Sequence, residues 1–187
     1  MSSVDAALKF LENEQSYVEN GLRVGYETFY NRLQVRNKLN LSVIKDDDIL
    51  KLFGNYETLY LQHKQILSEL MKLRLISSEK LRDELGTLFG GFIPYFSQYT
   101  DYIVKSKDAI LYIDELKKKN KTFRQWLSIN EECCKKRLRK IISEPQIRLP
   151  QYLQNLFIIY TAFKNEGRIN DIGCKNLMNA INEIKRK

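Results

Sequence analysis

The sequence predicts an all-α protein, an elongated antiparallel bundle of about six helices. Three observations predict it. Apolar residues recur at steps of three and four over long stretches, strand-like alternation persists nowhere, and the only prolines of the 187-residue chain are Pro94, Pro145 and Pro150. The first half is therefore free of the residue that most strongly breaks a helix.

The first helical run passes through Val4, Leu8, Leu11, Val18, Leu22, Phe29 and Leu33. The second runs from Ile49 through Leu52, Phe53, Tyr56, Leu59, Tyr60, Ile66, Leu67 and Leu70 to Leu73. Asp46, Asp47 and Asp48 stand at its start, where carboxylates favour a helix N-terminus. A third follows Ser77-Ser78-Glu79 and carries Leu81, Leu85, Leu88, Phe89, Phe92, Phe96 and Tyr99, with Gly90-Gly91 and Pro94 as the points of bending or tightening. A shorter helix is expected near 107–117, and another opened by Thr122 as N-cap. A long segment near 135–163, kinked at one of its two prolines, precedes the loop Asn165-Glu166-Gly167-Arg168 and a last helix from about Asp171.

Composition bounds the class. With 43% hydrophobic and 29% charged residues the chain is an ordinary globular one, long enough to bury roughly 70% of its extended surface. No signal-peptide pattern opens it, and no apolar run is long enough to span a bilayer. Three cysteines, two of them adjacent, fit a reducing cytoplasm better than a disulfide framework. A cytoplasmic protein is expected, recruited to membranes through other domains of its parent. The net charge of +8 points to an acidic partner. It is concentrated in Lys117-Lys118-Lys119 with Lys121, in Lys135-Lys136-Arg137 with Arg139 and Lys140, and in Lys185-Arg186-Lys187. Such runs are most often solvated helix ends. Weak contact with an anionic membrane is the further expectation, and specific nucleic-acid binding is not expected, because no groove-reading motif accompanies them.

Residues that would carry bond-making chemistry are scarce. There is no phosphate-cradling glycine loop and no HExxH, so neither a cofactor nor a metal is expected. His63, the single histidine, sits among apolar positions of the second helix and is read as a packing or hydrogen-bonding side chain. Cys133 and Cys134 would point about 100° apart on a helix and are read as ordinary side chains.

Five blocks in order carry a family resemblance. They are Ala7-Leu8-Lys9-Phe10-Leu11-Glu12-Asn13-Glu14-Gln15-Ser16-Tyr17-Val18; Phe53-Gly54-Asn55-Tyr56-Glu57 with Leu61-Gln62-His63; Leu85 to Phe89 followed by Phe96 to Tyr102 and Ala109; Pro145-Gln146-Ile147-Arg148-Leu149-Pro150-Gln151-Tyr152-Leu153; and Ile181-Asn182-Glu183-Ile184-Lys185-Arg186. Together they resemble the Dbl-homology, or RhoGEF, domain family. The resemblance covers essentially the whole chain, so residues 1–187 are expected to form one such domain, excised from a larger protein in which a pleckstrin-homology domain usually follows.

The resemblance implies a guanine-nucleotide exchange factor, a regulator rather than a bond-making enzyme, acting on a Rho-family GTPase in control of the actin cytoskeleton. It implies a GTPase-binding face built from the first, penultimate and last helices. Glu14 would accept hydrogen bonds from switch I, and Asn182 would meet switch II. Arg148 is the retained arginine of the hallmark. Gln151 stands where the family has Lys or Arg, and it offers only neutral hydrogen bonds, about half as strong as charge-assisted ones. Leu153, after the hallmark tyrosine, favours a Rac- or Cdc42-like partner. Glu14 and Asn182 are expected to be dispensable for folding, with Glu14→Ala costing under about 0.5 kcal/mol. The alternative implied by Gln151 is a scaffold of the same fold that binds cytoskeletal or signalling proteins with little exchange activity.

Overall fold

The computed structural model describes all residues, Met1–Lys187. Ten α-helices are joined so closely by short π-helical and 3-10 stretches that the backbone forms seven continuous helical runs and no strand. α1 (Ser3–Ser16) continues through π-helical turns at Tyr17–Leu22 and Gly25–Tyr30 into α2 (Asn31–Lys38). α3 (Asp46–Phe53) and α4 (Tyr56–Ile76) follow. α5 (Ser78–Phe92) leads through a 3-10 turn at Ile93–Phe96 into α6 (Ser97–Lys119). Then come α7 (Lys121–Cys134), α8 (Leu138–Ser143) with a 3-10 turn at Glu144–Ile147, α9 (Arg148–Asn165) and α10 (Ile172–Ile184).

Local chemistry accounts for the boundaries. Asp48 folds back to accept a bond from Lys45 N–H, and Ser77 Oγ accepts one from Lys80 N–H, each satisfying an otherwise orphaned donor. Pro94 lies in the 3-10 turn between α5 and α6, and Pro145 in the one before α9. Pro150 falls in the first turn of α9, where its missing N–H is best tolerated. Two expectations are corrected. The N-cap of α7 is Asn120, whose Oδ1 accepts from Phe123 N–H at 2.9 Å, and Thr122 lies inside the helix. The helix expected near 107–117 is the second half of the 23-residue α6.

The chain packs as two compact units. One comprises Met1–Val18, Gln62–Ser97 and Arg148–Lys187, and holds α1, most of α4, α5, α9 and α10. Its core is aromatic: Phe10, Phe89, Phe96 and Tyr152 meet edge-on, tilted or stacked with ring centroids 4.8–6.0 Å apart. α1 lies against α5 and α9, while α10 lies against α5 and α9. α5 and α10 approach closely because Gly86 faces the backbone of Leu177 and Gly173 faces that of Asp83. A Cβ on either glycine would meet those atoms at 2.3 and 2.7 Å. Glu166 in the α9–α10 turn accepts bonds at 2.6 Å from Ser3 N–H and Ser3 O–H, which places a carboxylate on the positive end of α1.

The other unit comprises Glu19–Leu61 and Gln98–Ile147. Phe29, Leu33, Ile49, Phe53, Tyr56, Tyr99, Phe123 and Ile141 are fully buried in it. Gly25 lets the first helix run against Tyr56, whose hydroxyl would lie 2.2 Å from any Cβ there.

Candidate functional site

The buried line of α1 is Ala7, Phe10, Leu11, Glu14. These are helical steps of three and four, and the fourth member carries a charge. Glu14 has no solvent exposure at all. Such a carboxylate survives burial only if it is paired and hydrogen-bonded, and three side chains from two other helices do this. His63 Nδ1 from α4 lies 2.7 Å from Glu14 Oε1. Tyr152 of α9 donates its hydroxyl to Oε2 at 2.5 Å. Arg148, the first residue of α9, donates from Nη2 to Oε2 at 2.6 Å. An ionised Glu14 can only accept, so in its bond with His63 the proton is assigned to Nδ1, which also lies 2.9 Å from the Tyr152 hydroxyl.

Burial by itself would raise the Glu14 pKa. The attraction and hydrogen bond of His63, followed by the Arg148 charge and the Tyr152 hydroxyl, reverse this and bring it down to about 2. Burial also works against the Arg148 charge, yet Tyr152 and Glu14 hold its pKa above the ordinary arginine value. The Tyr152 phenol is pushed well above its usual range, chiefly by burial. Glu14 is thus a carboxylate and Tyr152 a neutral donor at neutral pH. Aromatic rings complete the enclosure. The Arg148 guanidinium lies between Tyr17 and Tyr152, 4.2 and 4.3 Å from their centroids, and the His63 ring lies nearly parallel to those of Phe96 and Tyr152, 6.3 and 5.9 Å from their centroids.

At the surface above this cluster the polar groups are Asn13 and Gln151. Arg148 Nη1 donates to Asn13 Oδ1 at 2.6 Å and, more weakly, to Gln151 Oε1 at 3.3 Å. Arg148 Nε is buried without a hydrogen-bond partner. Asn155, one turn further along α9, reaches Asn13 at 3.5 Å. Leu153 is half-exposed on α9, and Asn182 is exposed near the end of α10. α10 packs against α9 across the short turn at 166–171.

The five residues singled out from the sequence therefore divide. Glu14, Arg148 and Gln151 are linked by direct contacts, whereas Asn182 and Leu153 stand as surface residues of the same unit. The expectation that Glu14→Ala behaves as an exposed substitution is corrected, because Glu14 is fully buried. A charge on the buried line of α1 is sealed by Arg148, Tyr152 and His63. His63 packs and hydrogen-bonds as read. Asn13 and Tyr152 were missed as cluster members. The available signal was the placement of Glu14 and His63 on apolar periodicities, which demands internal partners for both.

A RhoGEF domain family model matches residues 7–186. The myosin-M heavy chain of Dictyostelium discoideum is 28% identical over 147 residues, which are 77% of this chain and 8% of that protein. Among solved structures, one of the Vav1 exchange factor with its PH and C1 domains superposes with a TM-score of 0.82 at 18% identity, over 98% of this chain and 46% of that one. The DH/PH domains of PDZ-RhoGEF, solved in complex with activated RhoA, superpose with a TM-score of 0.71 at 18% identity, over 98% of this chain and 54% of that one. The chain thus spans about half the length of these structures and a small part of the myosin. With the family match running from the second turn of α1 to the residues just past α10, on a fold shared with those solved domains, the chain belongs to the RhoGEF, or Dbl-homology, domain family.

Proposed function

We propose that this domain is a guanine-nucleotide exchange factor for a Rho-family GTPase of the Rac/Cdc42 type. The observation that carries the reading is the joining of α1, α9 and α10 in one unit, with Asn13, Gln151, Leu153 and Asn182 at its surface over a sealed Glu14–Arg148 pair. Exchange makes and breaks no covalent bond. It requires only that the domain bind the nucleotide-free GTPase more tightly than the loaded one. Gln151, Leu153 and Asn182 meet the GTPase directly in this reading. Glu14 and Arg148 act from beneath, because Arg148 fixes Asn13 and Gln151 while Glu14 fixes Arg148.

Gln151 favours a second reading, a scaffold that binds its partner with little exchange. Its Oε1 is already engaged by Arg148, and it brings no cation to the surface. The test is release of a fluorescent nucleotide from Rho, Rac and Cdc42-type GTPases by the wild-type domain, Gln151→Lys and Gln151→Ala. Release from Rac or Cdc42 is expected, with Gln151→Lys faster by about ten-fold for one added charge-assisted contact. The new cation lies beside Arg148, which reduces the gain. Release from RhoA alone would contradict the inference from Leu153. No release or binding across the panel, unchanged in either variant, would hand the case to the scaffold.

A further inference from the structure

We propose that the corner where α6 meets α7, together with the α2–α3 loop beside it, is a docking surface for an anionic lipid bilayer. The starting observation is where the charge lies. Residues 117–140 contain ten Lys or Arg and two Asp or Glu, so this segment accounts for the whole excess of +8 and the rest of the chain is balanced. Its two ends differ. Around the α7–α8 junction most of the cations are paired: Lys135 with Glu132, Arg137 with Glu131, Lys136 with Glu144 and Arg139 with Asp114, while Lys140 alone is exposed without a carboxylate in ion-pair reach. At the α6–α7 corner Lys118 and Lys121 are exposed, Lys117 is half-exposed, and none of the three has a carboxylate partner. Lys119 shares Glu115 at 3.7 Å, on the surface.

The second observation is apolar. Asn120, which caps α7, donates from Nδ2 to Val43 O at 3.0 Å and so ties the α2–α3 loop to this corner. Val43 and Ile44 are buried and anchor the loop, yet Leu39 and Leu41 are 63% and 57% exposed at its tip. The tip is held in shape. Leu41 N–H donates to Arg36 O at 2.8 Å, Arg36 Nε donates to Leu41 O at 3.2 Å, and Asn40 between the leucines takes a left-handed conformation. Lys38 and Lys45 flank it, both exposed.

A fixed pair of leucines beside unpaired lysines matches a membrane interface, where short apolar side chains enter below the headgroups and lysines meet the lipid phosphates. Single-stranded nucleic acid would instead need exposed aromatic faces, and here Phe123 is buried and Trp126 half-buried. Three carboxylates at the start of α3 oppose the surface. Asp46 accepts from Asn37 and Asp48 from Tyr112, neutral donors that leave both charges in place, so all three carboxylates act as counter-charge and keep the affinity modest.

The proposal is independent of GTPase exchange, and so is its test. The 187-residue chain is co-sedimented with vesicles of phosphatidylcholine alone and of phosphatidylcholine with phosphatidylserine, at low and physiological salt. Binding to the anionic vesicles only, weakened by salt, is expected. Lys118→Glu with Lys121→Glu should cut it by about ten-fold or more, and Leu39→Ser with Leu41→Ser by about five-fold. Lys135→Glu with Arg137→Glu, at the paired end of α7, should change it little. All these side chains are exposed, so helical content by circular dichroism should be unchanged. Absence of vesicle binding at low salt, equal loss in the α7–α8 variant, or tighter binding to duplex DNA than to the anionic vesicles would each overturn the proposal.

Discussion

Glu14→Ala is expected to destabilise the domain by about 3–5 kcal/mol, the usual consequence of removing one partner from a buried ion pair. The cost arises from what remains. Arg148 would keep its charge at 3% exposure without a carboxylate, and His63 and the Tyr152 hydroxyl would each lose an acceptor. Urea unfolding followed by circular dichroism at pH 7 measures this directly, and a loss below about 1 kcal/mol would mean that the cluster rearranges without penalty. Glu14→Gln keeps the shape but not the charge, and should fall between wild type and alanine. The pH dependence has a definite sign. Glu14 titrates near 2 when folded against 4.5 in its ordinary environment, so the unfolded chain binds the proton more readily. The stabilisation is complete above about pH 4.5, is lost as pH falls toward 2, and amounts to about 3 kcal/mol. Glu14→Ala should therefore show a shallower acid dependence than wild type across that window.

The second large effect is expected at the crossing of α5 and α10. Gly86→Val would place its Cβ 2.3 Å from Leu177 N and 2.6 Å from Leu177 Cα, backbone atoms that cannot rotate away. α10 must shift, and overpacking of this kind costs about 3 kcal/mol, offset only by the few tenths that valine gains over glycine in helix propensity. Asn182 rides on α10, so the loss should extend beyond stability. At a temperature where the variant remains folded, nucleotide release should still fall. A variant as stable as wild type would show that the two helices can separate freely. One destabilised but fully active while folded would show that the position of α10 does not matter to exchange.

Much of this was legible in sequence, for identifiable reasons. Helical steps marked most buried positions of α4 and α5, because Leu59, Ile66, Leu70, Leu81, Leu85 and Phe89 carry side chains too large and apolar to leave in water, while Leu73, Leu88 and Phe92 of the same runs are half-exposed. They misjudged the start of α1, where Ala6, Ala7 and Phe10 are buried while Val4 and Leu8 are half-exposed, since small residues permit the close approach of α5 and α9. The site was half legible. Family-like motifs selected Glu14, Arg148 and Gln151, but a motif does not say which way a side chain faces. Polarity suggested the surface for Glu14, and the buried periodicity of α1 overruled it. The lysine runs looked alike in sequence. Only pairing with Glu131, Glu132, Glu144 and Asp114 separates the largely paired cluster from the open one.

The π-helical turns at Tyr17–Leu22 and Gly25–Tyr30 affect how this chain should be compared with its relatives. A single π turn inside an α-helix accommodates extra chain without ending the helix. A relative whose first helix is α-helical throughout would reach the same packing phase with fewer residues. Correct alignment would then require a gap in the middle of an unbroken helix, where gaps are ordinarily forbidden. Two sequences aligned without it would agree around Glu14 and drift out of register before Phe29. Low identity in this stretch would then measure a slipped ruler as much as divergence.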